Sequence, residues 1–250
     1  MKPIYILPNL FTAGSIFVGI LSVFKAESGD FESSAWLILL SLILDGLDGR
    51  VARLTKTESS FGVEFDSLAD LVAFGVAPSM LLYFSYGHNF GRIGVIISAL
   101  FVVFGAIRLA RFNVMKGIIE SNIFIGIPIP SGAVFITIWV LMFHKYNFQA
   151  TYLLMFFATI ISVLMVSNIR YPSFKKLDFG ESRTKVLIIL ISILSILYIA
   201  PIEGITTIMT IYVLFGIIRA SIIPFKRIGF LRKIVKSSII YAKSSKRKKR

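Results

Sequence analysis

The sequence predicts an all-α, polytopic transmembrane helical bundle. Three observations point there. Hydrophobic residues make up 56% of the 250 and charged residues only 16%, a balance foreign to soluble domains. The apolar residues fall into runs that meet the length of a spanning helix, about 20 residues. Lys and Arg gather in alternate connections between those runs, as orientation in a membrane requires.

Eight spans are expected, at roughly 8–25, 34–53, 66–86, 93–112, 131–147, 151–168, 185–200 and 205–223. The first follows Lys2 and has some likeness to a signal peptide. Pro8 and Asn9 interrupt its apolar run and more spans follow, so it reads as a retained helix. Basic residues cluster after span two (Arg53, Lys56), at the end of span four (Arg108, Arg111, Lys116) and after span six (Arg170, Lys175, Lys176, Arg183, Lys185). The opposite connections carry only Lys25, Arg92 and Lys145. The positive-inside rule then places both termini and the connections 54–65, 113–130 and 169–184 in the cytoplasm, with the chain integral to the cell membrane.

Residues 1–224 read as one transmembrane domain and 225–250 as a basic cytoplasmic tail. From Lys226 to Arg250 there are eleven basic residues and no acid. In a membrane protein such a tail is drawn to anionic lipid head groups, at about 1 kcal/mol per charge; a pure topology signal is the plainer alternative. Nucleic acid is not an expected partner. There is no Cys, which excludes disulfides and thiolate metal sites and leaves oxygen or imidazole ligands for any metal. The two histidines, His88 and His144, read as loop or interfacial residues in short connections.

The chemistry concentrates in one stretch, DGLDGRVARLTKTESSFGVEFDSLAD, from Asp45 to Asp70. Asp45 and Asp48 lie at i and i+3 near the end of span two. Asp66 and Asp70 lie at i and i+4 at the start of span three, and each pair shares a helix face. A polar link of about twelve residues, 54–65, lets the two helices run antiparallel and bring the four carboxylates together. Glu58 and Glu64 fall outside this spacing and read as loop residues. Asp45 stands roughly 12 Å along the helix from Arg53, at about 1.5 Å per residue. Four uncompensated acids at that depth would cost on the order of 10 kcal/mol. The cluster therefore calls for compensating cations and a water-accessible cavity. Two divalent ions balance four carboxylates, and oxygen ligands suit Mg²⁺ or Mn²⁺ and admit Ca²⁺. Gly49 inside a helix costs about 1 kcal/mol against alanine, so it reads as room for a close approach.

Written out, the stretch is D45-x-x-D48-G49-x-x-A52-R53, eight residues, then G62-x-x-x-D66-x-x-x-D70. It resembles the signature of the CDP-alcohol phosphatidyltransferases, complete and in register. LPNLFTAGS (Leu7–Ser15) is similar to the family's N-terminal Pro-Asn segment. FGAIRLARFNV (Phe104–Val114), GIPIPSGA (Gly126–Ala133) and FDSLADLVAFGVAP (Phe65–Pro78) resemble segments of its phosphatidylserine synthase branch. The resemblance implies a core of six spans, here with about two more at the C-terminal side. It implies a two-metal site with Asp45, Asp48 and Asp66 as ligands, and Asp70 as general base and further metal contact. It implies contacts to CDP-diacylglycerol from Asn9, Thr12, Gly49, Arg53 and Ser59, with close packing against the nucleotide at Ala52 and Gly62. A homodimer is also open, since dimers are common in the family.

The reaction so implied is phosphatidyl transfer: a serine hydroxyl attacks the lipid-side phosphorus and CMP leaves. Such chemistry asks a protein mainly for positioning and charge stabilisation, plus a base for the weak hydroxyl nucleophile. L-serine carries a carboxylate, and Arg108 and Arg111, three apart near the cytoplasmic end of span four, are candidates to hold it. Asn113 is a further one. GIPIPSGA reads either as a cytoplasmic loop over the site or as a plain loop and helix start. Three rivals stand beside this reading: another acceptor such as glycerol 3-phosphate or inositol phosphate, a divalent-cation transporter, and a non-catalytic membrane protein with a lipid-binding tail. A transporter has no need of the Gly/Ala/Arg spacing around the acids, and no inverted repeat is visible.

Overall fold

A computed structural model of the chain describes residues 6–57, 59–115, 123–172, 191, 195 and 198–218. They form a helical membrane bundle of α1 (Ile6–Glu27), α2 (Phe31–Thr55), α3 (Ser60–Asp70), α4 (Ala77–Ser85), α5 (Arg92–Met115), α6 (Ile129–Lys145) and α7 (Tyr152–Val166), with α8 (Pro201–Ile218) after them. The chain divides into two compact units, Met1–Thr210 and Ile211–Arg250. Of the second, only the end of α8 is described. The basic tail, Glu58, Lys116 and most of the span expected at 185–200 lie outside the described residues.

Four helical stretches are long and apolar enough to cross a membrane: Leu7–Glu27, Ser60–Ser85, Arg92–Met115 and Pro201–Ile218. α6 and α7 are apolar but shorter, at 17 and 15 residues. α2 is 25 residues long, and Asp45, Asp48 and Arg50 interrupt its apolar run.

α1 and α2 form an antiparallel hairpin turning at Ser28–Asp30. Asp30 caps α2, its carboxylate accepting from the Ser33 backbone N–H at 3.1 Å, while Lys25 donates to it at 3.1 Å. Hydrogen bonds from Ser33, and then Lys25, hold the Asp30 carboxyl below its ordinary value. A depressed carboxyl contributes stability above the ordinary carboxylate range and loses it as pH falls through the folded value. The turn is exposed, so the effect is small. Thermal melts of the detergent-solubilised protein are expected to drop more steeply in acid for the parent than for Asp30→Asn.

Along the hairpin, Ser15 meets Ser41 at 2.8 Å and Ser22 meets Ser34 at 2.9 Å. All four hydroxyls are buried, and such pairs join helices that cannot rely on a hydrophobic difference from lipid. Gly19 of α1 lies against the segment that leads from α3 into α4: a Cβ there would stand 3.0 Å from the Cα of Ala73.

The link between α2 and α3 is shorter than the twelve residues expected. α2 continues to Thr55 and ends on Lys56 in the left-handed region at φ 53°. α3 begins at Ser60 because Ser59 caps it, its Oγ accepting from the Gly62 N–H at 3.0 Å. Glu64 therefore lies on α3 and not in a loop. α3 runs into a π-helical segment, Leu71–Val76, before α4. Pro78 offers no N–H to the Phe74 carbonyl, and the Ala77 N–H reaches back to Val72. The extra residue turns α4 by roughly 100° relative to α3. Asp66 and Asp70 thus face the site while Phe74, Leu81 and Leu82 are fully buried in the core.

α5 packs on α7, and α6 on α2 and α4. Two short strands, β1 (Ile123–Ile125) and β2 (Arg170–Pro172), pair antiparallel beyond the ends of α5 and α7. GIPIPSGA is the plainer of its two readings. The Gly126 N–H donates to Ile169 at 2.8 Å and the Ile127 N–H to Leu164 at 3.2 Å, and α6 starts at Ile129 with Pro130 in its first turn. His88 sits in an exposed 3-10 turn, Gly87–Phe90. His144 belongs to the last turn of α6 and meets Phe31 edge-on at 5.7 Å.

Candidate active site

α2 and α3 bring their acids together. Carboxylate oxygens of Asp45, Asp48 and Asp66 all lie within 4.8 Å of one another. Asp70 adjoins them, within hydrogen-bond reach of Asp45 and in electrostatic contact with Asp66 and Arg108. One Asp70 oxygen, Oδ1, is buried without a hydrogen-bond partner. Four carboxyl groups this close repel unless a cation or proton is shared among them, and an unsatisfied buried acceptor is rare without a function. The donor set is all oxygen, so it fits hard divalent cations.

A cavity of about 620 Å³ opens beside the acids, within the range of small-molecule sites. Its walls include Asp48 and Asp66 together with Asn9, Thr12, Gly49, Ala52, Arg53, Ser59 and Gly62. Every position expected to meet the CDP-linked lipid therefore lies on one cavity, although they come from α1, α2, the α2–α3 link and α3. The local reasons are visible. The Thr12 hydroxyl donates to Asp48 Oδ2 at 2.6 Å, which ties α1 to the acids and fixes that carboxylate. Arg53 folds back so that a Cβ on Gly49 would meet its Nη1 at 3.5 Å. A Cβ on Gly62 would stand 3.2 Å from Ser59 Oγ and 3.6 Å from Asn9 Oδ1, so glycine keeps open the point where α1 and α3 meet.

Arg108 and Arg111 of α5 separate. Arg108 is only 6% exposed; it faces Asp70 electrostatically and lies 5.1 Å from the ring centre of Phe112. Arg111 has other partners. Its Nη1 donates to Val166 O at 2.8 Å, and its Nη2 to the carbonyls of Ile125, Met165 and Ser167 at 3.0, 3.1 and 3.1 Å. The carbonyls of Met165, Val166 and Ser167 are orphans at the end of α7, which a guanidinium satisfies well, and that of Ile125 belongs to β1. Lysine cannot reproduce that fork, so Arg111→Lys is expected to cost about 2–3 kcal/mol of stability, read from the thermal midpoint. Asn113 donates to Ser67 Oγ at 2.9 Å and links α5 to α3.

Pro8, Thr57, Ser60, Val63 and Phe112 also line the cavity and were not anticipated. Thr57 and Ser60 flank Ser59, and Phe112 lies one helical turn beyond Arg108, so neighbouring positions and the i, i+4 rule could have found these three.

The family model of the CDP-alcohol phosphatidyltransferases matches residues 5–166, the stretch that contains the acids and every lining residue. The chain is 53% identical over 222 residues to the CDP-diacylglycerol–serine O-phosphatidyltransferase of Helicobacter pylori strain 26695, covering 88% of this chain and 92% of that one. It is 41% identical over 160 residues to the enzyme of the same name from Methanocaldococcus jannaschii, covering 64% and 74%. It is 38% identical over 168 residues to the archaetidylserine synthase of Methanothermobacter thermautotrophicus, covering 66% and 69%. With the acids, their spacing and the cavity in agreement, the chain belongs to the CDP-alcohol phosphatidyltransferase family.

Proposed function

We propose that this protein transfers the phosphatidyl group of CDP-diacylglycerol to the hydroxyl of L-serine, giving phosphatidylserine and CMP. One observation carries the reading: the carboxylates of two helices converge within 4.8 Å beside a cavity of about 620 Å³. The names of the relatives at 53% and 41% identity support serine as the acceptor.

In this reading Asp45, Asp48 and Asp66 hold two divalent cations, Mg²⁺ or Mn²⁺, and Asp70 adds a further contact. Such ions, when bound, neutralise charge on the diphosphate and on the departing phosphate. Asn9, Thr12, Arg53 and Ser59 hold the CDP-lipid, with Gly49, Ala52 and Gly62 admitting it closely. Asp70 takes the proton from the serine hydroxyl as the new O–P bond forms and the P–O bond to CMP breaks. The buried, unpartnered Oδ1 of Asp70 supports that role. Arg108, buried and beside Asp70, receives the serine carboxylate. Arg111, committed to the end of α7, serves the framework. The basic residues at this end of the helices, Arg50, Arg53 and Lys56 among them, favour a site that faces the cytoplasm from within the cell membrane. A water-filled cavity there admits serine and releases CMP while the lipid tails stay in the bilayer.

The test is an acceptor panel with detergent-purified protein, CDP-diacylglycerol and Mg²⁺ or Mn²⁺. CMP release is expected with L-serine, to be lost on chelation with EDTA, and not with glycerol 3-phosphate or inositol phosphate. Release with a phosphorylated alcohol alone would move the protein to another branch of the family, and none with any acceptor would reject catalysis. Arg108→Gln is expected to raise the KM for serine about tenfold or more, the cost of one charge-assisted contact.

A further inference from the structure

We propose that Phe112 is a positioning residue for the acceptor, its ring holding Arg108 in the orientation that receives the acceptor's carboxylate. The inference rests on the reading of Arg108 given above.

Arg108 and Phe112 are one turn apart on α5, so their side chains meet on one face. The guanidinium carbon lies 5.1 Å from the ring centre, within the range of attraction between a cation and an aromatic face. A cation buried in a membrane helix must be held by its surroundings. Arg108 has Asp70 as one such neighbour and the ring as another.

The ring is also in an unusual place. Phe112 is 44% exposed, yet it lines the same cavity as Asp48, Asp66 and Arg53. Arg108 is not part of that lining. Phe112 thus stands between the space proposed for the CDP-lipid and the cation proposed for serine. The backbone beneath it is pinned on both sides: Arg111 is fixed to four carbonyls near the ends of α7 and β1, and Asn113 is fixed to Ser67 on α3. Position 112 therefore has little freedom, and the ring is pre-set against the guanidinium. A cation fixed in advance binds its anion without first losing side-chain freedom.

The test uses the full-length protein in detergent with Mn²⁺, varying serine and CDP-diacylglycerol separately. Phe112→Leu keeps an apolar side chain of similar bulk and removes the π-face. It is expected to raise the KM for serine about five- to tenfold, the range of a partly desolvated cation–π contact, by more than it raises the KM for CDP-diacylglycerol, whose cavity the ring also lines, and with the thermal midpoint unchanged. Phe112→Tyr restores the ring and is expected to restore the serine KM. In an Arg108→Gln background, Phe112→Leu is expected to add nothing, because the partner it positions is gone.

An unchanged serine KM in Phe112→Leu, alongside a raised one in Arg108→Gln, overturns the inference and leaves the serine reading standing. Additive effects in the double variant overturn it as well. So does a uniform loss of kcat, both KM values and the thermal midpoint in Phe112→Leu, which marks the ring as packing only. An unchanged serine KM in Arg108→Gln removes the assignment of Arg108, and the inference with it.

Discussion

Asp66→Ala is expected to abolish CMP release, by more than about a thousandfold, while the protein stays folded. Asp66 is both one of the three converging carboxylates and a wall of the cavity. Its removal opens the cage on the side where the diphosphate would lie. If the acids act as a unit, Asp48→Ala and the double variant lose about as much as Asp66→Ala alone. Stability should move the other way. These acids repel one another, so without divalent cations the Asp66→Ala melting midpoint should equal or exceed that of the parent. Added Mn²⁺ should raise the parent's midpoint and leave the variant's unmoved. Turnover by Asp66→Ala at the parental rate would end the two-helix metal-cage reading.

Gly126→Ala is expected to be among the most damaging single methyl groups in the described residues. Gly126 has φ +75°, in the region that L side chains resist. A Cβ there would run into the Met165 backbone carbonyl and stand 2.8 Å from Arg111 Nη2. Backbone strain and a clash that no side-chain rotation relieves together should cost about 3–5 kcal/mol. Gly29 is the internal control. It has φ +84° but nothing within 4 Å of its Cβ direction. Gly29→Ala should cost only the conformational part, about 1–2 kcal/mol. Equal losses in thermal midpoint for the two would show that the contact with Met165 and Arg111 carries no weight.

The site was legible in the sequence to the extent that it is local. Asp45 and Asp48, then Asp66 and Asp70, carry their helix faces in their spacing, and the antiparallel pairing follows from a short polar link. The length of that link was not legible. Residues 60–65, with Ser60, Gly62 and Glu64 at alternate positions, break the apolar run and read as loop, and the Gly62 N–H donating to Ser59 Oγ makes them the first turns of α3. The π-segment was hidden for a related reason: apolar periodicity runs smoothly through Leu71–Val76, and the missing N–H of Pro78 acts four residues upstream. Arg111 was the hardest to read. Beside Arg108 in sequence, it reads as its twin, yet its partners on α7 lie 54 to 56 residues further along, a distance at which neither composition nor spacing carries a signal. The bundle itself was plain from hydropathy.

The serine pairs of the α1–α2 hairpin bear on how this site lives in a changing bilayer. Ser15 and Ser22 are seven residues apart, as are Ser34 and Ser41, so both latches engage in the same axial alignment and a slide of either helix breaks both. When lipids lengthen or shorten, or sterols stiffen the membrane, such helices answer by tilting together and not by slipping past each other. Thr12 then keeps its height against Asp48. An enzyme whose product alters the composition of its own surroundings would in this way keep its cluster of acids in register with α1 while the thickness around it drifts.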